Sequence, residues 1–246
     1  MSTLGHGSPF VWAHGLTSSR ANEDTRGLFD WTPVTAGGRQ VVRYDARGHG
    51  TTGGPPDPAA YQWPRLAEDL LALMDHLRVD RAPVGGASMG CATVLHAAVR
   101  APERFERLVL VIPPTAWASR AGQAEVYELS AAVVEAHGKA AWLELANAAP
   151  KAAIFTSDPT PFEADIPEAL LPFVLRGAAA SDLPDPEAIA AIAVPALVLA
   201  WATDAGHPVS TAERLVELLP DAELYVAETI PEILTWPERV AAFIDA

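Results

Sequence analysis

From Arg81 to Val99 the chain reads R-A-P-V-G-G-A-S-M-G-C-A-T-V-L-H-A-A-V. The first part, Arg81 to Val84, suits a short buried strand, and Cys91 to Val99 suits a helix. Between them stands Gly86-Ala87-Ser88-Met89-Gly90, an instance of G-x-S-x-G. A serine joining a strand directly to a helix sits on a sharp turn with its hydroxyl projecting. The crowded flanks of that turn need glycine or another small residue. A strand feeding a helix through so tight a turn belongs in an α/β architecture, and the other segments can be read against it.

Before this stretch, Pro9 to Ala13 is an apolar run ending in the polar loop His14 to Ser19. Glu23 to Phe29 suits a short helix, and Arg39 to Tyr44 a second strand. Thr51 to Pro58 is a Gly/Pro loop. Trp63 to Leu77 carries Leu66, Leu70, Leu73, Met74 and Leu77 at helical spacing, with Pro64 in the first turn. After it come Leu108 to Ile112, Ala196 to Trp201 and Glu223 to Ala227, each a strand-length apolar run. Helices are expected over Ser210 to Leu219 and Pro237 to Ile244. Strands alternating with helices predict a parallel sheet with right-handed crossovers. Continuous apolar strands predict that both its faces are covered. From Thr115 to about Ala193 the spacing is helical: Gln123–Ala136, Lys139–Ala148, Pro167–Ala179 and Pro186–Ile192.

Four motifs in order then resemble the α/β-hydrolase superfamily: His14-Gly15 after the first strand, Y-D-A-R-G-H-G at 44 to 50, G-x-S-x-G around Ser88, and Asp204 just past the strand Ala196 to Trp201. The resemblance covers Pro9 to Ile244. It implies an α/β-hydrolase fold with a core over 1–114 and 194–246 and a helical cap over 115–193. The family's antiparallel N-terminal hairpin is expected to be reduced or absent, because only eight residues precede Pro9. About six strands and an essentially parallel sheet follow. The resemblance also assigns roles. Ser88 is the nucleophile, Asp204 the acid of the triad, and the backbone amides of Leu16 and Met89 the oxyanion donors. Trp117, Trp142, Phe155, Phe162 and Phe173 of the cap, with His14 of the oxyanion loop, are the pocket candidates. Each cap aromatic could instead pack the cap onto the sheet. Asp45, Arg47 and His49 are expected to tie down their turn.

Ser88 needs a base to take its proton, and here the chain departs from the family. The usual histidine lies between the last strand and the last helix as G-H-x-x-x-L-x-x-P. Leu234 and Pro237 match that pattern, so Ile230 stands at the histidine position, and no histidine follows His207. His207, in Asp204-Ala205-Gly206-His207-Pro208, is the candidate base. His14, His49, or no histidine at all are the other readings. The expected activity is therefore a serine hydrolase of atypical or incomplete triad, acting on a small, largely apolar carboxylic ester, lactone or thioester. The alternative is a non-hydrolytic protein of the same fold: a ligand binder, or a cofactor-free lyase or cyclase.

Composition narrows the partners. A net charge of −14 argues against nucleic acid and anionic membranes. No apolar run reaches the ~20 residues of a membrane span. The first residues show no signal peptide. Cys91 is the single cysteine, so no disulfide forms within the chain and a cytoplasmic location is expected. No cofactor or metal is expected, and a small molecule is the expected partner.

Overall fold

The computed structural model describes all 246 residues. Seven strands form one sheet in the order β1-β3-β2-β4-β5-β6-β7. They are β1 (Ser2–Leu4), β2 (Ser8–Ala13), β3 (Arg39–Tyr44), β4 (Ala82–Ala87), β5 (Phe105–Val111), β6 (Ala196–Trp201) and β7 (Ala222–Ala227). All neighbouring pairs are parallel except β1 with β3, which is antiparallel with Thr3 opposite Val42. The expected six parallel strands are present, and β1 adds a seventh. The antiparallel N-terminal element is therefore reduced to a three-residue edge strand rather than lost. It was hard to read because its residues are exposed or half-buried and carry no apolar run.

The helices are α1 (Arg20–Arg26), α2 (Thr32–Ala36), α3 (Trp63–His76), α4 (Met89–Arg100), α5 (Arg120–Ala148), α6 (Leu171–Ala179), α7 (Pro186–Ala190), α8 (Val209–Leu218), α9 (Ile230–Ile233) and α10 (Trp236–Asp245). Alternation along the strands sorts side chains onto two faces. Val11, Val42, Val84, Leu108, Leu110 and Val198 pack with α3, α4 and α8. Phe10, Trp12, Val41, Val109, Val111, Leu197 and Leu199 pack with Trp31 and, from α10, Trp236, Val240 and Ile244. Apolar residues at both parities explain why the strands read as continuous apolar runs. None of the helices is long and apolar enough to cross a membrane.

Between β5 and β6 the chain is helical apart from its loops. α5 changes direction at Gly138, whose φ of 83° and ψ of 166° are not helical. This break falls between the two helices expected at 123–136 and 139–148. Beyond it, the Lys139 amide donates to Glu168 Oε2 at 3.1 Å, satisfying one of the N–H groups freed at the break. α5, α6 and the 159–166 segment enclose a small core with Ala131, Val134, Trp142, Ile166, Leu171 and Leu175, which Tyr61, from before α3, joins to the rest of the chain.

Candidate active site

Ser88 sits between β4 and α4 with φ 53° and ψ −111°, a strained conformation for a residue with a side chain. Its amide donates to Val111 O at 2.9 Å, which fixes the turn to the neighbouring strand. The glycine requirement is steric. A Cβ at Gly90 would lie 2.0 Å from Ala13 O, and one at Gly86 would lie 2.4 Å from Gly90 C. The motif is therefore a packing solution that lets α4 start against the end of β2.

Ser88 Oγ lies 2.8 Å from His207 Nε2. His207 Nδ1 lies 2.8 Å from Asp204 Oδ2. A carboxylate only accepts, so Nδ1 carries the proton and Nε2 is left to accept from the serine hydroxyl. Asp204 also accepts from Trp201 Nε1 at 2.8 Å and from the Gly206 amide at 2.9 Å. Burial works against the charge on Asp204. His207, the Trp201 indole and the Gly206 amide outweigh it and hold the carboxyl down at about 2. Asp204 is thus a charged acceptor throughout the neutral range.

Both partners come from the single loop that follows β6, and that loop is tethered along its length. Ala202 donates to Ala227 O at 2.9 Å, and Thr115 donates to Gly206 O at 3.1 Å. Thr203 takes a left-handed φ of 68° and accepts from the Ile154 amide at 3.0 Å. Ile230 stands at the head of α9, past β7.

The loop after β2 is braced by two buried histidines. His14 Nδ1 donates to Gly15 O at 2.8 Å, and its Nε2 accepts from the Ala46 amide at 2.9 Å. His49 Nδ1 donates to Arg47 O at 2.9 Å, and its Nε2 accepts from the Thr17 amide at 3.2 Å. Burial lowers the pKa of both. His49 falls to about 3, with His14 beside it adding to the effect of burial. Each ring is neutral with both nitrogens used, so neither is free to serve Ser88. Asp45 ties the same region together through Arg20, at 2.9 Å to each of two nitrogens, and through Thr51. None of the turn, loop and cap hydrogen bonds between backbone groups is donated by Leu16 or Met89. Met89 is the first residue of α4, where the N–H groups have no partner within the helix and the helix dipole is positive.

A cavity of about 440 Å³ is lined by Gly15, Leu16 and Ala87, which flank the serine turn, while Ser88 and His207 are not themselves among its lining residues. Trp12, Val111 and Trp201, from the carboxyl ends of β2, β5 and β6, form one wall with Ile112. Leu28, Phe29, Ile233 and Trp236 line it as well, and so does Phe162, from the segment between β5 and β6. Of the expected pocket residues, Phe162 alone lines this cavity. His14 is sealed behind the loop it braces. Trp117 donates to Pro184 O at 3.1 Å and packs against the sheet core. Phe155 stacks edge-on against Trp201, with ring centres 4.8 Å apart, and does not line the cavity. Trp142 and Phe173 belong to the core enclosed by α5 and α6. The physical reasons differ: Trp142 and Phe173 are taken up by the small core between α5 and α6, whereas Trp117 and Phe155 pack the insertion onto the two faces of the sheet. The residues missed, Trp12, Trp201 and Trp236, sit at element ends. Their alternation with neighbouring core positions was the one available signal.

The profile of the α/β-hydrolase fold family matches residues 8–130. A 3-oxoadipate enol-lactonase from Acinetobacter baylyi is 31% identical over 199 residues, covering 76% of this chain and 70% of that protein. This chain belongs to the α/β-hydrolase family. Esterase YbfF of Escherichia coli is 32% identical over 104 residues, 42% of this chain and 38% of that one. Among solved structures, a hydrolase from Pseudomonas aeruginosa superposes with a TM-score of 0.79 at 26% identity, covering 100% of this chain and 93% of the other. An enol-lactonase from Burkholderia xenovorans shares the fold with a TM-score of 0.75 at 24% identity, covering 99% and 92%.

Proposed function

We propose that this α/β-hydrolase is a serine hydrolase that cleaves small, largely apolar carboxylic esters or lactones, with thioesters as the neighbouring class. The observation that carries this reading is the hydrogen-bonded relay from Ser88 Oγ through His207 to Asp204, at 2.8 Å per step. In this mechanism His207 takes the Ser88 proton as Oγ attacks the carbonyl carbon. Asp204 steadies the imidazolium that results. The amides of Leu16 and Met89 receive the oxyanion. The same imidazolium then gives its proton to the leaving alkoxide, and the ester bond breaks. In the second half His207 activates water to release the acid and regenerate Ser88.

The triad is atypical in its origin, because acid and base share one loop three residues apart. The 440 Å³ cavity with its aromatic wall suits a small apolar acyl or alcohol part. The names of the lactonase and esterase relatives agree with cleavage of a lactone or an ester. Residues 115–193 act as the cap, through which Phe162 reaches the cavity. The non-hydrolytic alternative drew its support from Ile230 at the family's histidine position, and the 2.8 Å contact of His207 Nε2 with Ser88 Oγ favours the hydrolase instead.

A fluorophosphonate tests this reading. Rapid stoichiometric modification of Ser88 is expected in the parent, together with turnover of short p-nitrophenyl esters. Both should be lost in His207→Ala. An inert Ser88 in the folded parent would sink the proposal.

A further inference from the structure

Trp201 occupies an unusual place between the sheet, the cavity and the acid–base pair. Its Nε1–H donates to Asp204 Oδ2 at 2.8 Å, the same oxygen that receives His207 Nδ1–H. Its ring stacks on Trp236 with centres 6.0 Å apart and planes 15° apart, and it meets the His207 ring edge-on at 6.0 Å. It is also part of the cavity wall. It belongs to β6, so it carries the rigidity of the sheet into the loop that holds both Asp204 and His207.

A conventional arrangement takes its acid and base from two separate loops, each with its own anchor. Here one seven-residue stretch, Ala202 to Pro208, must hold both. The mutual contact of Asp204 and His207 cannot by itself aim the imidazole at Ser88, because the pair could turn together. The tethers of Ala202, Thr203 and Gly206 hold the loop's backbone, and Trp201 Nε1 is the donor from outside the loop that reaches the Asp204 carboxylate itself.

We propose that Trp201 is the positioning residue of this acid–base pair. Its indole N–H fixes the carboxylate plane of Asp204 and, through it, the direction of His207 Nε2. Its ring meanwhile fills the region beside Trp236 and Ile233. This inference rests on the proposed Ser88–His207–Asp204 mechanism. A residue with this role acts on the chemical step more than on substrate binding. It also draws negative charge from Asp204 that would otherwise stabilise the imidazolium, so its loss strengthens the His207–Asp204 attraction.

The test is Trp201→Phe, which removes the N–H and keeps an aromatic ring. With a short p-nitrophenyl ester, kcat is expected to fall ~10-fold or more, on the scale of one hydrogen bond to a charged group. KM should stay within about threefold on the same reasoning, with the acidic limb of the kcat/KM profile displaced to higher pH. A rise in KM with kcat and the pH profile unchanged would overturn the inference and leave Trp201 as pocket wall only. Should Trp201→Phe fail to fold, the indole N–H cross-peaks of 15N-labelled parent and Asp204→Asn decide the matter. One of the seven tryptophan signals should move strongly, and seven unmoved signals would refute the contact. Full activity in His207→Ala would instead remove the underlying mechanism, an outcome separate from either Trp201 result.

Discussion

His207 Nε2 lies 2.8 Å from Ser88 Oγ, across 119 positions of sequence, whereas Asp204, its other partner, is three residues away. The position in the family pattern that should hold the base carries Ile230 at the head of α9. Replacing His207 with alanine is expected to reduce kcat/KM by ~10²–10⁴ or more. Adding Ile230→His to that variant should restore nothing, because Ile230 is the first residue of α9, past β7, whereas the acid–base pair approaches Ser88 from the loop after β6. Steady-state kinetics on the single and double variants measure this. Rescue by the added histidine would show that the loop after β7 still reaches Ser88.

The turn that holds Ser88 makes a steric prediction. Gly90→Ala places a Cβ 2.0 Å from Ala13 O and 2.6 Å from Ala13 C. These are main-chain atoms of β2, which cannot swing aside as a side chain could. A loss of more than ~3 kcal/mol in unfolding free energy is expected, with the oxyanion loop displaced. Gly122→Ala is the control. Nothing lies within 4 Å of its Cβ position in α5, so a gain of ~0.5–1 kcal/mol is expected. Equal denaturant midpoints for the two variants would refute the packing argument.

How much of this was legible in the sequence depends on which physical signal each feature leaves. The order of motifs from His14-Gly15 to Asp204 located the strands, because steric demands on Gly86 and Gly90 and continuous apolar runs are local. β1 was missed because a three-residue edge strand buries too little to leave a pattern. The pocket was misplaced because composition shows that Trp142 and Phe173 are large and apolar, and cannot show that α5 and α6 close over them. The base was legible as a candidate and no further. Whether D-A-G-H turns its imidazole toward Ser88 depends on Trp201, Thr115 and Ala227, which are distant or unrelated in motif terms.

Glu23 gives a pH prediction. Its Oε1 accepts from Trp12 Nε1 at 2.9 Å, while Oε2 is buried with no partner, in a residue that borders the apolar cavity. Burial pushes its carboxyl up to about 7, against 4.5 ordinarily, despite the Trp12 hydrogen bond and nearby Arg43. The folded state therefore binds this proton more tightly than the unfolded chain does. The resulting stability is complete below about 4.5 and is lost as pH rises through about 7. Glu23→Gln keeps the Trp12 acceptor and cannot ionise. Its Tm relative to the parent is expected to improve between pH 5 and pH 8, by roughly 2–4 °C for each kcal/mol relieved. A Tm difference that does not change with pH would show that Glu23 titrates as an ordinary exposed carboxyl.

Phe162 separates the role of the insertion from that of the sheet. It reaches the cavity from the segment between β5 and β6, and its ring lies edge-on to Trp142 at 5.6 Å. Its backbone is held from both sides by Asn147, which accepts from the Phe162 amide at 2.7 Å and donates to its carbonyl at 3.0 Å. Because the backbone is clamped, Phe162→Ala removes a piece of wall without releasing the segment. An apolar acyl chain then loses part of its contact area while the distance from Ser88 to His207 is untouched. KM for a butyrate ester should rise roughly tenfold, in keeping with ~1.5 kcal/mol of lost burial, with kcat nearly constant. The acetate ester, too short to span the cavity, should change less. Asn147→Ala, which frees the same backbone, should raise KM for both esters and leave fluorophosphonate labelling of Ser88 intact. If Phe162→Ala alters neither ester, the substrate does not extend beneath this segment, and residues 115–193 do not serve as its cap.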